Sequence, residues 1–347
     1  MTRRGTPIGL VALIAAVLSA GLAGAVVIRG GVRVVPSIAS FSSGAPARQG
    51  SGSERSRSSS SGDVSAYRGL GAWVDAFDYA PAYARPEEGA QVVPEDLDAM
   101  AARGVRTLFL QAARADERSP EGIVDRALVG RFLERAHHLG MSVVGWYLPK
   151  FGDLDSDLAR LALLRDFRVG RHRFDGIAVD IEYRRDVPDD AERNRRVVEL
   201  SWRLRQAAPG YPLGAIVYPP ALLEVIQPTF WPDFPWAQIA GAYDVWLPMA
   251  YWTELAADSE YRDGYRYAEE GTRRLRANLG NASALVHVIG GVADVATAAD
   301  VERFVSAARE TSAIGWSLYD YRTTSSAGWD VLVGTPHVRK AGANEGQ

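Results

Sequence analysis

Phe174-Asp175-Gly176-Ile177-Ala178-Val179-Asp180-Ile181-Glu182-Tyr183 is the stretch that decides the fold, because it predicts a buried β-strand that ends in two acids. Side chains in a strand alternate between its two faces. One face of this strand is apolar and β-branched, and the other carries two small residues followed by Asp180 and Glu182. Two carboxylates on an apolar strand are costly to bury unless they are paired or used. The stretch is therefore a candidate catalytic strand.

Seven more apolar stretches of strand length alternate with amphipathic helical stretches along the chain. The eight predicted strands are Gly71–Phe77, Val105–Gln111, Ser142–Leu148, Asp175–Tyr183, Pro212–Tyr218, Asp244–Tyr251, Ala284–Ile289 and Ala313–Asp320. Their starts are about 30 to 40 residues apart, which is the size of one strand-helix unit. Eight such units predict an α/β fold, the (β/α)8 TIM barrel. An open, doubly wound sheet is the alternative, but no glycine-rich phosphate loop follows the first strand.

Three of the intervening stretches carry clear helix signals. Asp125–Gly140 has apolar residues at helical spacing and a terminal glycine. Asp190–Ala208 has an apolar side and ends before Pro209-Gly210. Thr297–Ala308 begins with a threonine cap, and Asp300 three residues later gives an acidic variant of the capping box. We expect these helices to cover the outside of the barrel.

The carboxyl ends of the predicted strands, where the function of such a barrel lies, are rich in aromatic rings and carboxylates. Sugars present apolar C–H faces that stack on aromatic rings, and hydroxyls that carboxylates can hold. We therefore predict an oligo- or polysaccharide as the partner. The alternative for any single aromatic ring is that it fills the barrel. The predicted substrate-binding residues are Trp73, Asp75, Trp146, Tyr147, Tyr183, Tyr218, Met249, Trp252, Glu254, Trp316 and Asp320.

Composition excludes several other classes of protein. The net charge of −3, without a dense basic run in the folded part, argues against nucleic-acid binding. The absence of cysteine excludes disulfides, thiolate metal sites and cysteine nucleophiles. None of the five histidines lies at a strand end beside an acid, so we expect no metal and no cofactor. His287 is expected to be a satisfied core residue, and His137 and His138 ordinary helix residues.

The beginning of the chain predicts export. Arg3 and Arg4 precede an uncharged run from Ile8 to Ile28. As a helix this run spans about 31 Å, enough to cross a bilayer, with the barrel outside the cell. A cleaved signal peptide with small residues at Ala23-Gly24-Ala25 is the alternative.

Four regions follow from these patterns. Residues 1–34 are the signal peptide or transmembrane anchor, 35–66 a disordered linker rich in Ser, Gly and Arg, 67–340 the barrel and 341–347 a disordered tail. We expect a monomer, either held at the cell membrane with its barrel outside or secreted.

The strand-four stretch resembles the signature of glycoside hydrolase family 18, the chitinase-like barrels. In that pattern an Asp-Gly start is followed by Asp, Asp and Glu at alternate positions. Asp175, Gly176, Asp180 and Glu182 match, and Ala178 stands at the place of the first of the two inward aspartates.

Two further strand ends are similar to the family's pattern. Met249-Ala250-Tyr251 resembles its Met-x-Tyr element, and Trp316 is similar in place to the tryptophan that floors the sugar site. The resemblance implies a glycan with 2-acetamido sugars as substrate and Glu182 as the general acid. It also implies that Asp180 orients the acetamido group, whose carbonyl attacks the anomeric carbon, and that Tyr251 donates a hydrogen bond to that carbonyl.

The two acids also make chemical sense without the resemblance. Asp180 and Glu182 are expected to lie about 6.5 to 7 Å apart along the strand. Two acids in an apolar mouth repel each other, which raises one pKa and gives a proton donor near neutral pH.

Ala178 raises the question of a different chemistry, because an inward aspartate there would share a proton with Asp180. A covalent retaining mechanism needs a second carboxylate about 5 to 5.5 Å from the general acid, and an inverting mechanism needs one about 6.5 to 9.5 Å away. The candidates for that carboxylate are Asp75, Glu254 and Asp320.

Three hypotheses remain from the sequence. The first is an exported glycoside hydrolase. The second is a catalytically silent sugar-binding barrel, in which Trp146, Trp252 and Trp316 supply the affinity. The third is that the two acids only form structural ion pairs, whose candidate partners are Arg114, Arg184 and Lys150.

Overall fold

Eight parallel strands close into a barrel in residues 63–334, the part of the chain that the computed structural model describes. The strands are β1 (Gly69–Val74), β2 (Thr107–Gln111), β3 (Ser142–Tyr147), β4 (Gly176–Ile181), β5 (Leu213–Val217), β6 (Val245–Ala250), β7 (Leu285–Gly290) and β8 (Gly315–Leu318). Each strand pairs with its neighbours in the chain, and β1 pairs with β8 through Gly69–Gly315 and Leu70–Trp316. The predicted (β/α)8 barrel is confirmed, and the open sheet is excluded.

All eight predicted strands are present, and β1, β4 and β8 end two or three residues earlier than predicted. β1 ends at Val74 because the Asp75 side chain accepts backbone N–H groups and caps a short helix. β8 ends at Leu318, and shortly after it the Asp320 side chain accepts a backbone N–H in a turn. Asp75 and Asp320 therefore lie after their strands, where each side chain accepts hydrogen bonds from the backbone that follows.

Helices surround the strands. In residues 63–334 the α-helices are α1 (Ala76–Tyr79), α2 (Leu97–Ala102), α3 (Arg126–His138), α4 (Leu154–Asp166), α5 (Asp190–Ala207), α6 (Trp236–Ile239), α7 (Gly264–Asn278), α8 (Ala298–Glu310) and α9 (Ser326–Leu332). The three predicted helices are confirmed as α3, α5 and α8. Thr297 and Asp300 form the expected capping box at the start of α8.

A 3-10 helix, Val64–Tyr67, closes the amino end of the barrel. Tyr67 is buried there, and its hydroxyl donates to the carbonyl oxygens of Ile177 (2.7 Å) and Pro212 (3.3 Å). Ala66 is also buried. The predicted disordered linker over 35–66 therefore extends too far, because its last residues form part of the barrel.

A buried chain of hydrogen bonds fixes the centre of the barrel. Trp73 Nε1 donates to Ser317 Oγ (2.8 Å), which lies 3.0 Å from His287 Nε2, and His287 Nδ1 lies 2.8 Å from the Tyr67 carbonyl oxygen. Because that oxygen only accepts, Nδ1 carries the proton and Nε2 accepts from the serine. Burial lowers the pKa of His287 to about 4. The prediction of a satisfied core histidine is confirmed.

The predicted anchor or signal over 1–34, most of the predicted linker and the predicted tail lie outside the described residues. Within residues 63–334, no helix combines the length and the apolar character needed to cross a membrane.

Candidate active site

The inner face of β4 leads to two acids at the carboxyl end of the barrel. Gly176 lies at its amino end, where a β-carbon would come within 2.7 Å of the Tyr67 hydroxyl. Ala178 and Asp180 follow on the same face, and Glu182 comes directly after the strand. Gly176 thus leaves room for the Tyr67 ring at the amino end of the barrel, and the two acids lie at the carboxyl end. Asp180 and Glu182 are called the acid pair below.

The environment of the acid pair favours the protonated carboxyl. Asp180 is buried and Glu182 is partly exposed. Burial and the neighbouring Glu182 hold the pKa of Asp180 well above its ordinary value. Burial raises the pKa of Glu182 to about 7. A carboxyl with this pKa is half protonated at neutral pH, which suits a general acid.

The structural ion pairs that the third hypothesis requires are not formed among the described residues. Arg114 donates to the side chain of Gln111 (2.9 Å) and lies over aromatic rings of the first loop. Arg184 lies over the ring of Phe230, 4.1 Å from its centre. Tyr183, a predicted sugar contact, donates to a carboxylate of its own loop. The acid pair is thus left without a cationic partner in residues 63–334.

Polar side chains from β3 and from the ends of β5 and β6 lie around the acid pair. Tyr218 follows β5 and Tyr251 follows β6, and the pKa of each is raised by burial and then by the acid pair. Neither phenol forms a hydrogen bond within the described residues. Trp146 of β3 pairs with Ala178 of β4, and its Nε1, like Asp180 Oδ1, is buried without a hydrogen-bond partner there. The two phenols, Trp146 Nε1 and Asp180 Oδ1 are therefore free to bind a ligand at the carboxyl end of the barrel.

Aromatic rings form the floor of the site. Trp73 packs edge-on against Trp146, with ring centres 6.0 Å apart. Tyr319 lies between Trp73 and Tyr251, at 6.2 Å and 6.0 Å from their ring centres. Met249 is buried on the same face of β6 as Tyr251. Sequence reasoning missed Tyr319, although alternation along β8 from Ser317 would have indicated it.

Three predicted sugar contacts point away from the mouth. Tyr147 donates to a carboxylate of α4 (2.5 Å), and Trp252 packs against a phenylalanine ring of α8. Trp316 donates to a carbonyl oxygen of α9 (3.3 Å). The prediction that Trp316 floors the sugar site is wrong, because Ser317 is the inward-facing neighbour in β8, and Trp73 occupies the centre instead.

Asp75, Asp78 and Asp320 form a separate buried group at the ends of β1 and β8, which is called the acidic cluster below. Asp75 also accepts a hydrogen bond from the Tyr319 hydroxyl (2.8 Å). Two of the three candidates for a second catalytic carboxylate thus belong to this cluster. The third, Glu254, is half-buried, and burial raises its pKa.

A cavity of about 850 Å³ lies at the amino end of the barrel, away from the acid pair. Its lining includes His137 and His172, whose Nδ1 atoms are 2.8 Å apart, and His137 Nε2 lies 2.9 Å from Asp175. These contacts join the end of α3 to the start of β4. Residues at this end of such a barrel usually serve stability.

The barrel is similar to solved structures of a GH18 chitinase, of a spore cortex-lytic enzyme and of a chitinase-like agglutinin. A GH18 chitinase from Cycas revoluta, solved with allosamidin and with (GlcNAc)3, has 14% identity and a TM-score of 0.55, covering 76% of this chain and 98% of that chain. The spore cortex-lytic enzyme of Bacillus megaterium has 9% identity and a TM-score of 0.50, covering 76% and 73%. A chitinase-like agglutinin from Robinia pseudoacacia has 11% identity and a TM-score of 0.51, covering 76% and 98%.

No protein-family model and no curated protein matches the chain. The solved structures confirm the resemblance to family 18 at the level of the fold. The low sequence identity to them agrees with the departure from the family pattern at Ala178.

Proposed function

We propose that this protein is a glycoside hydrolase that cleaves a glycan containing 2-acetamido sugars, with Glu182 as the general acid. The observation that carries the proposal is the acid pair in an aromatic mouth, surrounded by polar groups without protein partners. Buried polar groups are normally hydrogen-bonded, so free ones at the carboxyl end of the barrel suit a polar ligand. The fold shared with a chitinase that binds (GlcNAc)3 supports an acetamido sugar as that ligand.

The reaction divides the work among three side chains. Glu182 gives its proton to the glycosidic oxygen as the bond to the anomeric carbon breaks. The carbonyl oxygen of the substrate's own acetamido group bonds to that carbon in its place, while Asp180 accepts the acetamido N–H and Tyr251 donates to the carbonyl. Glu182, now ionised, then takes a proton from the water that opens the cyclic intermediate.

The test is the release of reducing ends from three kinds of glycan. Chito-oligosaccharides and purified peptidoglycan carry acetamido groups, and cello-oligosaccharides serve as the matched control without them. The blank is the double variant Asp180→Asn/Glu182→Gln, which keeps both side-chain shapes. We expect release from an acetamido glycan by the parent protein alone.

Two other outcomes would contradict the proposal. Binding of acetamido glycans without turnover would establish the silent sugar-binding barrel. Equal turnover of cello-oligosaccharides would exclude the acetamido group as the nucleophile and favour a second carboxylate.

A further inference from the structure

The acidic cluster of Asp75, Asp78 and Asp320 takes no part in the proposed reaction. Its three side chains are buried, with exposed fractions of 5%, 2% and 0%. Each residue offers one carboxylate oxygen, and these oxygens all lie within 4.8 Å of one another. Oxygen ligands lie about 2.3 to 2.6 Å from Ca²⁺, so two ligands on opposite sides of the ion are about 4.6 to 5.2 Å apart. One calcium ion therefore fits among the three oxygens.

The hydrogen bonds of Asp320 leave one of its oxygens free. Its Oδ1 accepts from the backbone N–H and the hydroxyl of Thr323, both at 2.9 Å. Its Oδ2 is buried and has no hydrogen-bond partner within residues 63–334. Buried carboxylate oxygens are normally paired. An unpartnered oxygen on a fully buried member of the cluster points to a ligand that is not a protein side chain.

The charge of the cluster is only partly compensated. The Arg322 Nε donates to Asp78 Oδ1 (2.8 Å), which leaves Asp78 Oδ2 with one long hydrogen bond from the Asp75 backbone (3.3 Å). Three carboxyl groups lie beside one guanidinium, which is ion-paired with Asp78 alone, so the other two have no cationic partner among the described residues. Buried charges are stable when they are paired or coordinate a metal. One divalent cation would complete the compensation.

We propose that Asp75, Asp78 and Asp320 bind one Ca²⁺ ion. The ion joins the carboxyl end of β1 to that of β8, and the Asp75–Tyr319 hydrogen bond connects it to the floor of the site. We assign calcium because it accepts an irregular set of oxygen ligands, whereas Mg²⁺ requires ligands at about 2.0 to 2.1 Å in near-ideal octahedral geometry. The sequence predicted no metal site, since that prediction considered only histidines beside acids, and an all-oxygen site contains none.

The test is calcium-dependent stability of the full chain after EDTA treatment and dialysis. We expect calcium at about a hundred times its dissociation constant to raise Tm by about 5 °C, and magnesium at the same concentration to raise it less. Terbium gives a second measurement, because it binds calcium sites and its luminescence is sensitised by nearby rings such as Tyr319. We expect calcium to displace it.

The variants locate the ion. Asp320→Asn should remove both the calcium shift and the terbium signal, while Asp258→Asn, which changes an exposed carboxylate outside the cluster, should keep both. If Asp320→Asn fails to fold, Asp78→Asn serves the same purpose. An unchanged Tm of the parent protein in calcium together with no displaceable terbium signal would overturn the proposal, as would a full calcium shift in both cluster variants.

Discussion

Glu182→Gln is expected to lower kcat on an acetamido glycan by about 10²- to 10⁴-fold, the usual contribution of a general acid. The amide keeps the shape of the side chain but has no proton of suitable acidity for the leaving oxygen. The matched control is Glu302→Gln, which changes an exposed glutamate on α8 and should leave kcat unchanged. Steady-state kinetics of both variants give the answer, and full activity of Glu182→Gln would remove Glu182 from the mechanism.

The same substitution is expected to stabilise the protein at alkaline pH. Burial raises the pKa of Glu182 from 4.5 to about 7, so the folded state holds a proton that the unfolded state releases between these values. Below the unfolded pKa, Glu182 is protonated in both states and does not lower the free energy of unfolding of the parent. As pH rises through the folded pKa, the parent loses this part of its free energy of unfolding, because the buried carboxyl must ionise.

The free energy of unfolding of Glu182→Gln should exceed that of the parent by at most about 3 kcal/mol near pH 8, and by less if solvent screens the carboxylate. The difference should vanish near pH 4. Thermal unfolding of parent and variant across this range measures it. A gain that is the same at every pH would show that the carboxyl is not perturbed by its site.

Ala178→Asp is expected to destabilise the barrel by about 2 to 4 kcal/mol near neutral pH, although it restores the aspartate of the family 18 pattern. Position 178 is buried between Trp146 and Gly214 on the neighbouring strands, directly below Asp180. A new carboxyl there has no cationic partner among the described residues. Burial and Asp180 would raise its folded pKa, so the destabilisation should grow as pH rises above about 4.

Ala178→Asn is the matched control, because asparagine has nearly the same size and no charge. Its Tm should also fall, but without the dependence on pH, and the gap between the two variants should widen from pH 5 to pH 8. A gap that stays constant would mean that only the size of the side chain matters. A stable and more active Ala178→Asp would show that the usual proton relay operates in this barrel.

The fold was predictable because its signals are local. The alternation along β4, the apolar strands and the cap at Thr297 each depend on a few neighbouring residues, and all are present in the structure. The acid pair was predictable for the same reason, since Asp180 lies on the inner face of β4 and Glu182 follows two residues later, directly after the strand.

The remaining site residues depend on contacts between distant parts of the chain. Trp316 was placed in the sugar site by its resemblance to the family's tryptophan, although its neighbour Ser317 is the residue of β8 that faces inward. Tyr319 was overlooked, although it lies two residues after Ser317 and so on the same face. The acidic cluster joins the end of β1 to that of β8, and barrel closure alone brings these segments together. No spacing in the sequence could indicate it.

The dependence on the leaving group tests the role of Glu182 most directly. Parent and Glu182→Gln are compared on a chito-oligosaccharide, whose leaving oxygen needs a proton, and on the matching dinitrophenyl glycoside, whose leaving group does not. We predict that kcat/KM of the variant falls by about 10²- to 10⁴-fold on the first substrate and by less than about tenfold on the second. Equal losses on both substrates would contradict the assignment of Glu182 as the general acid.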